Sequence, residues 1–310
     1  MKLYKPKFWD NKIGFLSVIL FPLSLIFIFV THLNRKISKR KVFKLPIICV
    51  GNIYLGGTGK TPTSIFLARE LSKLGKKAVI LRKYYKNHAD EYKLIKNSFK
   101  NLIINKNRAD GINDAEKNGF DFVILDDGLQ DHRINKNIKI VCFNSNQLIG
   151  NGLVLPAGPL RERLSILKSA EIVIINGKKN NIFEKKILNI NKKLEIFYSF
   201  YKPTNLDQFK NKKLLAIAGI GNPYNFFKII EENNLYISKK LIFPDHYQFS
   251  QIEVENIIKD AELNNYEIIM TEKDYFKINN YKLKKINYLK VSLEIPEKKR
   301  LLDKINSFND

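Results

Sequence analysis

The run Pro46-Ile-Ile-Cys-Val-Gly-Asn-Ile-Tyr-Leu-Gly-Gly-Thr-Gly-Lys-Thr-Pro62 constrains the fold most, because it prescribes three consecutive elements. Residues 47–50 form a short apolar run opened by proline, the pattern of a central strand in a parallel sheet. Gly56, Gly57 and Gly59, with Thr58 between them, allow a turn that crowds backbone N–H groups around an anion at a helix N-terminus. Lys60 is then placed to reach the β and γ phosphates of a nucleotide and Thr61 to hold Mg²⁺, with Pro62 closing the run. One departure stands out: the glycine of Gly-x-x-x-x-Gly-Lys-[Ser/Thr] is replaced by Tyr54. An ordinary glycine turn between strand and helix is the alternative.

Alternation continues along the chain. Residues 61–74 carry apolar side chains at helical spacing and stop at Gly75, and strands are expected at 78–81, 102–104, 120–125, 138–143 and 171–175. A helix is expected at 160–168 and a linker broken by Pro203 at 198–207. A second unit follows, with strands at 213–218, 266–270 and 288–293 and a helix from the capping box Ser250-Gln-Ile-Glu253 to about Leu263. The fold class is α/β: a P-loop-type parallel sheet domain with helices on both faces at 37–204, and a smaller C-terminal α/β domain at 205–310. An N-terminal membrane anchor helix with its flanks, 1–36, precedes them.

That anchor is expected because no Asp, Glu, Lys or Arg lies between Ile13 and Leu33, a stretch just long enough to span a bilayer. No small-x-small cleavage site follows; the basic run 35–41 does, and it favours the cytoplasmic side and anionic headgroups. Pro22 leaves open a kinked or in-plane helix. A buried core helix would have to be covered on all faces.

The formal charge of +24 points to a polyanionic partner, an anionic membrane surface or nucleic acid. Its lysines are scattered, without the interleaved aromatics of a nucleic-acid module, so no nucleic-acid partner is expected. Both cysteines, Cys49 and Cys142, sit in apolar runs, which excludes a disulfide framework or cysteine metal site as the organising device.

Asp126 and Asp127 end an apolar strand downstream of the glycine loop, where a hard cation beside phosphates needs oxygen ligands. His246, beside Asp245 and just after a strand, suits a general base or its orienting partner. Thr271-Glu-Lys-Asp274 could be a ligand clamp, although its pattern favours a solvated charged turn, and Gly219-Ile-Gly-Asn-Pro223 suits either an anion site or a tight turn.

Six segments together resemble the tetraacyldisaccharide 4'-kinase (lipid A 4'-kinase) family of Gram-negative bacteria. They are the 50–62 run, Leu125-Asp-Asp-Gly-Leu-Gln130, Asn151-Gly-Leu-Val-Leu-Pro-Ala-Gly-Pro-Leu-Arg-Glu162, the 219–223 run, Phe243-Pro-Asp-His-Tyr247 and Thr271-Glu-Lys-Asp274, in family order. The resemblance implies transfer of the ATP γ-phosphate, with Mg²⁺, to the 4'-hydroxyl of a membrane-embedded tetraacylated glucosamine disaccharide 1-phosphate. It implies an inner-membrane location, with the catalytic body on the cytoplasmic face. It also implies that Lys60 and Thr61 bind phosphate and metal, that Asp126 and Asp127 belong to the metal site, and that Gln130, Arg161 and Glu162 join the same nucleotide and Mg²⁺ cluster. His246 matches a histidine that works with the aspartate of a Gly-Asp-Glu-Pro segment, and the counterpart here is Asp90 in Ala89-Asp-Glu-Tyr92. Leu81-Arg-Lys-Tyr-Tyr85 departs from the family's Ser-Arg-Gly-Tyr-Gly, and Asp131 stands where many relatives carry histidine.

A membrane-associated ATPase of the partitioning type is the rival reading. That class needs a lysine directly before the glycine pair, and this chain has Leu55.

Overall fold

The structure, a computed structural model, describes residues 6–86, 88–245, 247–278, 281 and 285–308. Helix α1 (Phe15–Ile37) runs through Pro22 and ends where Ser38 N–H bonds Asn34 O. Strand β1 (Ile47–Gly51), buried throughout, leads through the glycine loop into α2 (Lys60–Lys73). The chain continues through β2 (Ala78–Lys83), α3 (Ala89–Ser98), β3 (Leu102–Asn105), α4 (Arg108–Lys117) and β4 (Phe122–Asp126). Asn107 caps α4 by accepting Ala109 N–H. Next come β5 (Ile138–Asn144), β6 (Ile172–Asn176), α5 (Asn181–Leu188) and β7 (Glu195–Pro203). The remaining elements are β8 (Leu214–Ala218), α6 (Pro223–Glu232), β9 (Ile237–Ile242), α7 (Gln251–Leu263), β10 (Glu267–Thr271), α8 (Glu272–Ile278), β11 (Ile286–Leu289), β12 (Val291–Glu294) and α9 (Lys298–Asn306). The expected capping box forms, Ser250 Oγ accepting Glu253 N–H.

Two sheets organise these elements, in the orders β12-β7-β6-β5-β1-β4-β2-β3 and β11-β10-β8-β9. From β3 to β7 the pairing is parallel, with β1 between β4 and β5. The chain leaves β1 toward β2 on one side and later fills the other side, which makes the end of β1 the topological switch point where α/β sheets bind ligands. Val50 pairs with Asp126 in register, so the glycine loop and the acidic pair leave the sheet together. A Cβ on Gly51 would lie 2.5 Å from Leu129 Cβ, so glycine is what lets the segment after β4 cross the end of β1.

Three expectations need correcting. The helix expected at 160–168 is only a short 3₁₀ turn at Leu164–Ser169, and the long connection from β5 to β6 is mostly loop. The linker expected at 198–207 is largely β7, which lies between β6 and β12; its half-exposed positions obscure the strand pattern, and Pro203 falls at the strand end. The strand expected at 288–293 is split between β11 and β12.

The described residues divide into two compact units, one within Tyr85–Lys100 and Tyr201–Leu293, the other within Lys5–Tyr84, Asn101–Phe200 and Glu294–Asp310. This differs from the expected spans, because α3 packs on α8 and therefore joins the smaller unit. In the other direction α9 returns to the larger unit, burying Leu301 and Ile305 while Arg300 lies 4.3 Å from the Phe197 ring centroid. Helix α1 also belongs to the larger unit.

Candidate active site

The glycine loop is braced from within. Asn52, fully buried at the end of β1, donates its amide to Tyr54 O at 2.7 Å, Gly56 O at 3.2 Å and Thr58 Oγ1 at 2.9 Å. Thr58 thus turns its hydroxyl inward and offers a ligand only its backbone. Gly59 adopts φ of 90°, a left-handed turn that a Cβ would strain, immediately before Lys60 opens α2. Tyr54 is accounted for as well: the 53–55 segment is extended, with Arg161 N–H bonding Ile53 O at 2.6 Å and Leu55 N–H bonding Pro159 O at 2.8 Å. Its ring is buried, and its hydroxyl donates to Asp10 Oδ1 at 2.8 Å, so the position carries an anchor where the common loop carries a turn.

Asp126, fully buried, accepts from Thr61 Oγ1 at 2.9 Å and Ser64 Oγ at 3.3 Å, and is ion-paired with Arg82. Asp127 follows in a left-handed conformation, φ 57°, and faces two cations: Arg161 Nη2 at 2.9 Å and Lys60 Nζ at 3.9 Å. Burial works against the Asp127 carboxylate, but Lys60 and Arg161 outweigh it and hold its pKa below the ordinary aspartate value. Burial draws the Lys60 amine down, with Asp127 opposing. Arg161 also donates to Asn52 O at 3.0 Å, as does Gln130 Nε2 at 2.9 Å. Asn52 and Arg82 are the members of this cluster that the sequence motifs did not single out.

Glu162 completes the cluster. Burial pushes its carboxyl up to about 7, against Arg35, Lys136, Arg161 and a Gln130 hydrogen bond. Its Oε1 is buried without a hydrogen-bond partner among the described residues and lies 3.9 Å from His132 Nε2. Burial and the neighbouring cations Lys136, Arg35 and Arg40 push that imidazole down to about 4, so it is neutral near pH 7. The under-compensated buried Glu162 carboxylate, bonded to Gln130, together with Thr61, Asp126 and Asp127 supplies oxygen donors of the kind that fits Mg²⁺. No group of three or more His, Cys, Asp or Glu side chains among the described residues encloses a metal alone. That suits an ion that retains waters and phosphate oxygens.

The Asn151–Glu162 segment also seats α1. Ser24 Oγ donates to Val154 O at 2.8 Å and accepts Ala157 N–H at 3.1 Å, while Asn151 Nδ2 donates to Ser17 Oγ at 3.2 Å. Ser17 and Ser24 are seven apart, hence on one helix face, and both are buried. Phe15, Val18, Ile19, Ile26 and Phe29 are exposed.

Asp90 lies in the first turn of α3, in the smaller unit, and is 5% exposed. Tyr92, where the family pattern has proline, donates its hydroxyl to Tyr85 O at 3.1 Å and so closes the short loop before Asp90. His246 lies outside the described residues. The 271–274 segment, expected to be solvated, is instead buried at Asp274, whose Oδ2 accepts from Gly219 N and Thr271 Oγ1, each at 2.7 Å. Lys277 Nζ pairs with its other oxygen at 2.6 Å. Gly219 is thus latched as a structural turn. Lys60, Thr61, Asp126, Asp127, Gln130, Arg161 and Glu162 come together in the larger unit, and Asp90 belongs to the smaller one.

The family model LpxK, described as tetraacyldisaccharide-1-P 4'-kinase, matches residues 16–309. A tetraacyldisaccharide 4'-kinase of Pelagibacter ubique (strain HTCC1062) is 42% identical, covering 100% of this chain and 99% of that protein. One from Francisella tularensis subsp. novicida (strain U112) is 34% identical over 93% of this chain and 98% of its own length. Among solved structures, LpxK from Aquifex aeolicus, an "apo" form in complex with ATP, superposes with a TM-score of 0.74 at 22% identity, covering 95% of this chain and 99% of that one. That likeness shows the fold.

Proposed function

The chain belongs to the tetraacyldisaccharide-1-P 4'-kinase family, and from that premise we infer how its residues perform the reaction. It is a phosphotransferase that moves the γ-phosphoryl of ATP to the 4'-hydroxyl of a tetraacylated glucosamine disaccharide 1-phosphate, forming the 4'-phosphate of the lipid A precursor. The observation that carries the site assignment is the convergence of Lys60, Thr61, Asp126, Asp127 and Arg161 on the braced glycine loop, with Glu162 joined to it through Gln130.

Backbone N–H groups of residues 56–61 cradle the phosphates at the start of α2. Lys60 reaches the β and γ phosphates, and Arg161, held by Asn52 and Asp127, adds a second cation. Thr61, Asp126, Asp127, Gln130 and Glu162 would hold Mg²⁺, and when bound the ion would supply charge neutralisation at the phosphates. Asp90 takes the proton from the 4'-hydroxyl, a poor nucleophile near neutral pH, and His246 orients it. Asp90 belongs to the smaller unit.

Helix α1 supports a membrane-bound enzyme. It is long and apolar enough to cross a bilayer, but its serines bind the protein body along two turns. We therefore assign it an in-plane position, apolar face in the lipid, where an acylated substrate resides. The basic run from Arg35 to Lys41 supports the cytoplasmic face of the inner membrane and an anionic surface, and nucleic acid is not a proposed partner. Purified protein with labelled ATP, Mg²⁺ and a lipid disaccharide 1-phosphate should transfer label to lipid, and Lys60→Ala should abolish transfer without unfolding. ATP hydrolysis that responds to DNA or a protein, with no label in lipid, would sink the proposal.

A further inference from the structure

The proton transfer assigned to Asp90 and His246 requires two distant segments of the smaller unit to keep a fixed register. They are the start of α3, carrying Asp90, and the turn after β9, carrying Asp245 next to His246. We propose that Lys273 is the positioning residue that sets this register, an inference that rests on the base assignment above.

Lys273 is the second residue of α8. Its Nζ lies 3.2 Å from Glu91 Oε1 and 3.0 Å from Asp245 Oδ1, so one ammonium clamps the residue after Asp90 and the residue before His246. Three N–H donors on one nitrogen make that double engagement possible. Glu91 is held from its other side, Oε2 lying 3.1 Å from His88 Nδ1. A second contact, Asn97 Nδ2 to Glu272 Oε1 at 3.4 Å, ties the far end of α3 to α8. Exposed ion pairs contribute little, but the Lys273 and Glu91 side chains are only 15% and 14% exposed and form part of a network.

The lysine is also well founded. Its neighbour Asp274 is fully buried and locked to Gly219, Thr271 and Lys277, which fixes the main chain from which Lys273 projects. The β10–α8 corner therefore joins residues 88–91, 219 and 245 at one point. Lys273 is assigned no role on ATP or the reacting hydroxyl; it acts through the two segments it clamps.

The test is kinetic. Lys273→Met should lower kcat about 100-fold, the effect of roughly 1 Å of misplacement at a reacting group. KM for ATP should stay within about 2-fold, because the phosphate loop belongs to the other unit. Lys273→Arg, which keeps charge and reach, should recover activity to within about 5-fold. In an Asp90→Asn background, Lys273→Met should cost less than about 3-fold more, since a residue acting through Asp90 has nothing left to position. Should Lys273→Met fail to fold, Glu91→Gln and Asp245→Asn must each lower kcat while sparing KM for ATP. Full activity in Lys273→Met, no recovery in the arginine variant, or multiplicative losses in the double variant would overturn the positioning role. Near wild-type activity in Asp90→Asn alone would instead refute the base assignment.

Discussion

Asn52→Ala removes the amide that braces the phosphate loop from inside. Two N–H groups serve three acceptors, Tyr54 O, Gly56 O and Thr58 Oγ1, so truncation deletes about two hydrogen bonds' worth of bracing. At about 1 kcal/mol net each, the cradle loses about 2 kcal/mol relative to open loop conformers. ATP must restore that order on binding, so its affinity should fall about 30-fold. The strand end itself survives, because Gln130 and Arg161 still bond the main-chain oxygen of residue 52 at 2.9 and 3.0 Å. Global stability should therefore change less than affinity. Asn52→Asp sharpens the test: it keeps the shape, turns the donor into an acceptor facing two carbonyls, and sets a negative charge beside the phosphates. It should bind ATP more weakly than the alanine variant despite the nearby Arg161. Titration with a fluorescent ATP analogue and Mg²⁺, alongside thermal melting, measures both. Equal affinity in wild type and Asn52→Ala, or tighter binding by Asn52→Asp than by Asn52→Ala, would refute the bracing argument.

Metal-free protein should show a pH signature of Glu162. A carboxyl raised from its ordinary 4.5 to about 7 contributes stability below its unfolded value and loses it as pH climbs to about 7, while His132, lowered from 6.5 to about 4, gains stability as pH rises between those values. Glu162→Gln removes only the first slope, so it should gain roughly 3 kcal/mol on wild type between about pH 4.5 and 7 in urea titrations; parallel curves would refute this. Ser24→Ala strands the buried Ala157 N–H and takes from Val154 O one of its two donors, Gly158 N–H remaining, and should ease release of α1 by about 2 kcal/mol, read as faster amide exchange in residues 15–37. Asp274→Ala leaves Lys277 buried without its carboxylate and should destabilise the protein by about 3–5 kcal/mol; an unchanged urea midpoint would contradict the latch.

What could be read from sequence was local. Strand, glycine loop and helix start are neighbours in the chain, so their apolar run and turn residues disclose them, and the 125–130 motif ends a strand in the same way. Asn52 was not legible, because its importance lies in which carbonyls the loop turns toward it. Arg82 gains its meaning from strand order, which puts β2 beside β4 and brings its guanidinium to Asp126. The 271–274 segment looked solvated because three of its four residues are charged and the fourth is polar, yet Gly219 N–H, 55 positions away, bonds the buried Asp274 and Lys277, three positions on, neutralises it. Unit boundaries were the least legible. Nothing in the composition of residues 85–100 says that their helix packs on α8.

The shared use of residues 151–162 has a consequence for how the molecule is made. The hydroxyl of Ser24 meets its main-chain partners 130 and 133 residues later, and the 53–55 segment waits for Pro159 and Arg161. At about 5–20 residues per second, roughly 10 seconds of synthesis separate the appearance of α1 from that of its seat. Through that interval the apolar helix is available to a bilayer and the phosphate loop has no frame. Arrival at the lipid surface can thus precede competence to bind ATP, so that a kinase whose substrate is a lipid would be finished where that substrate already is.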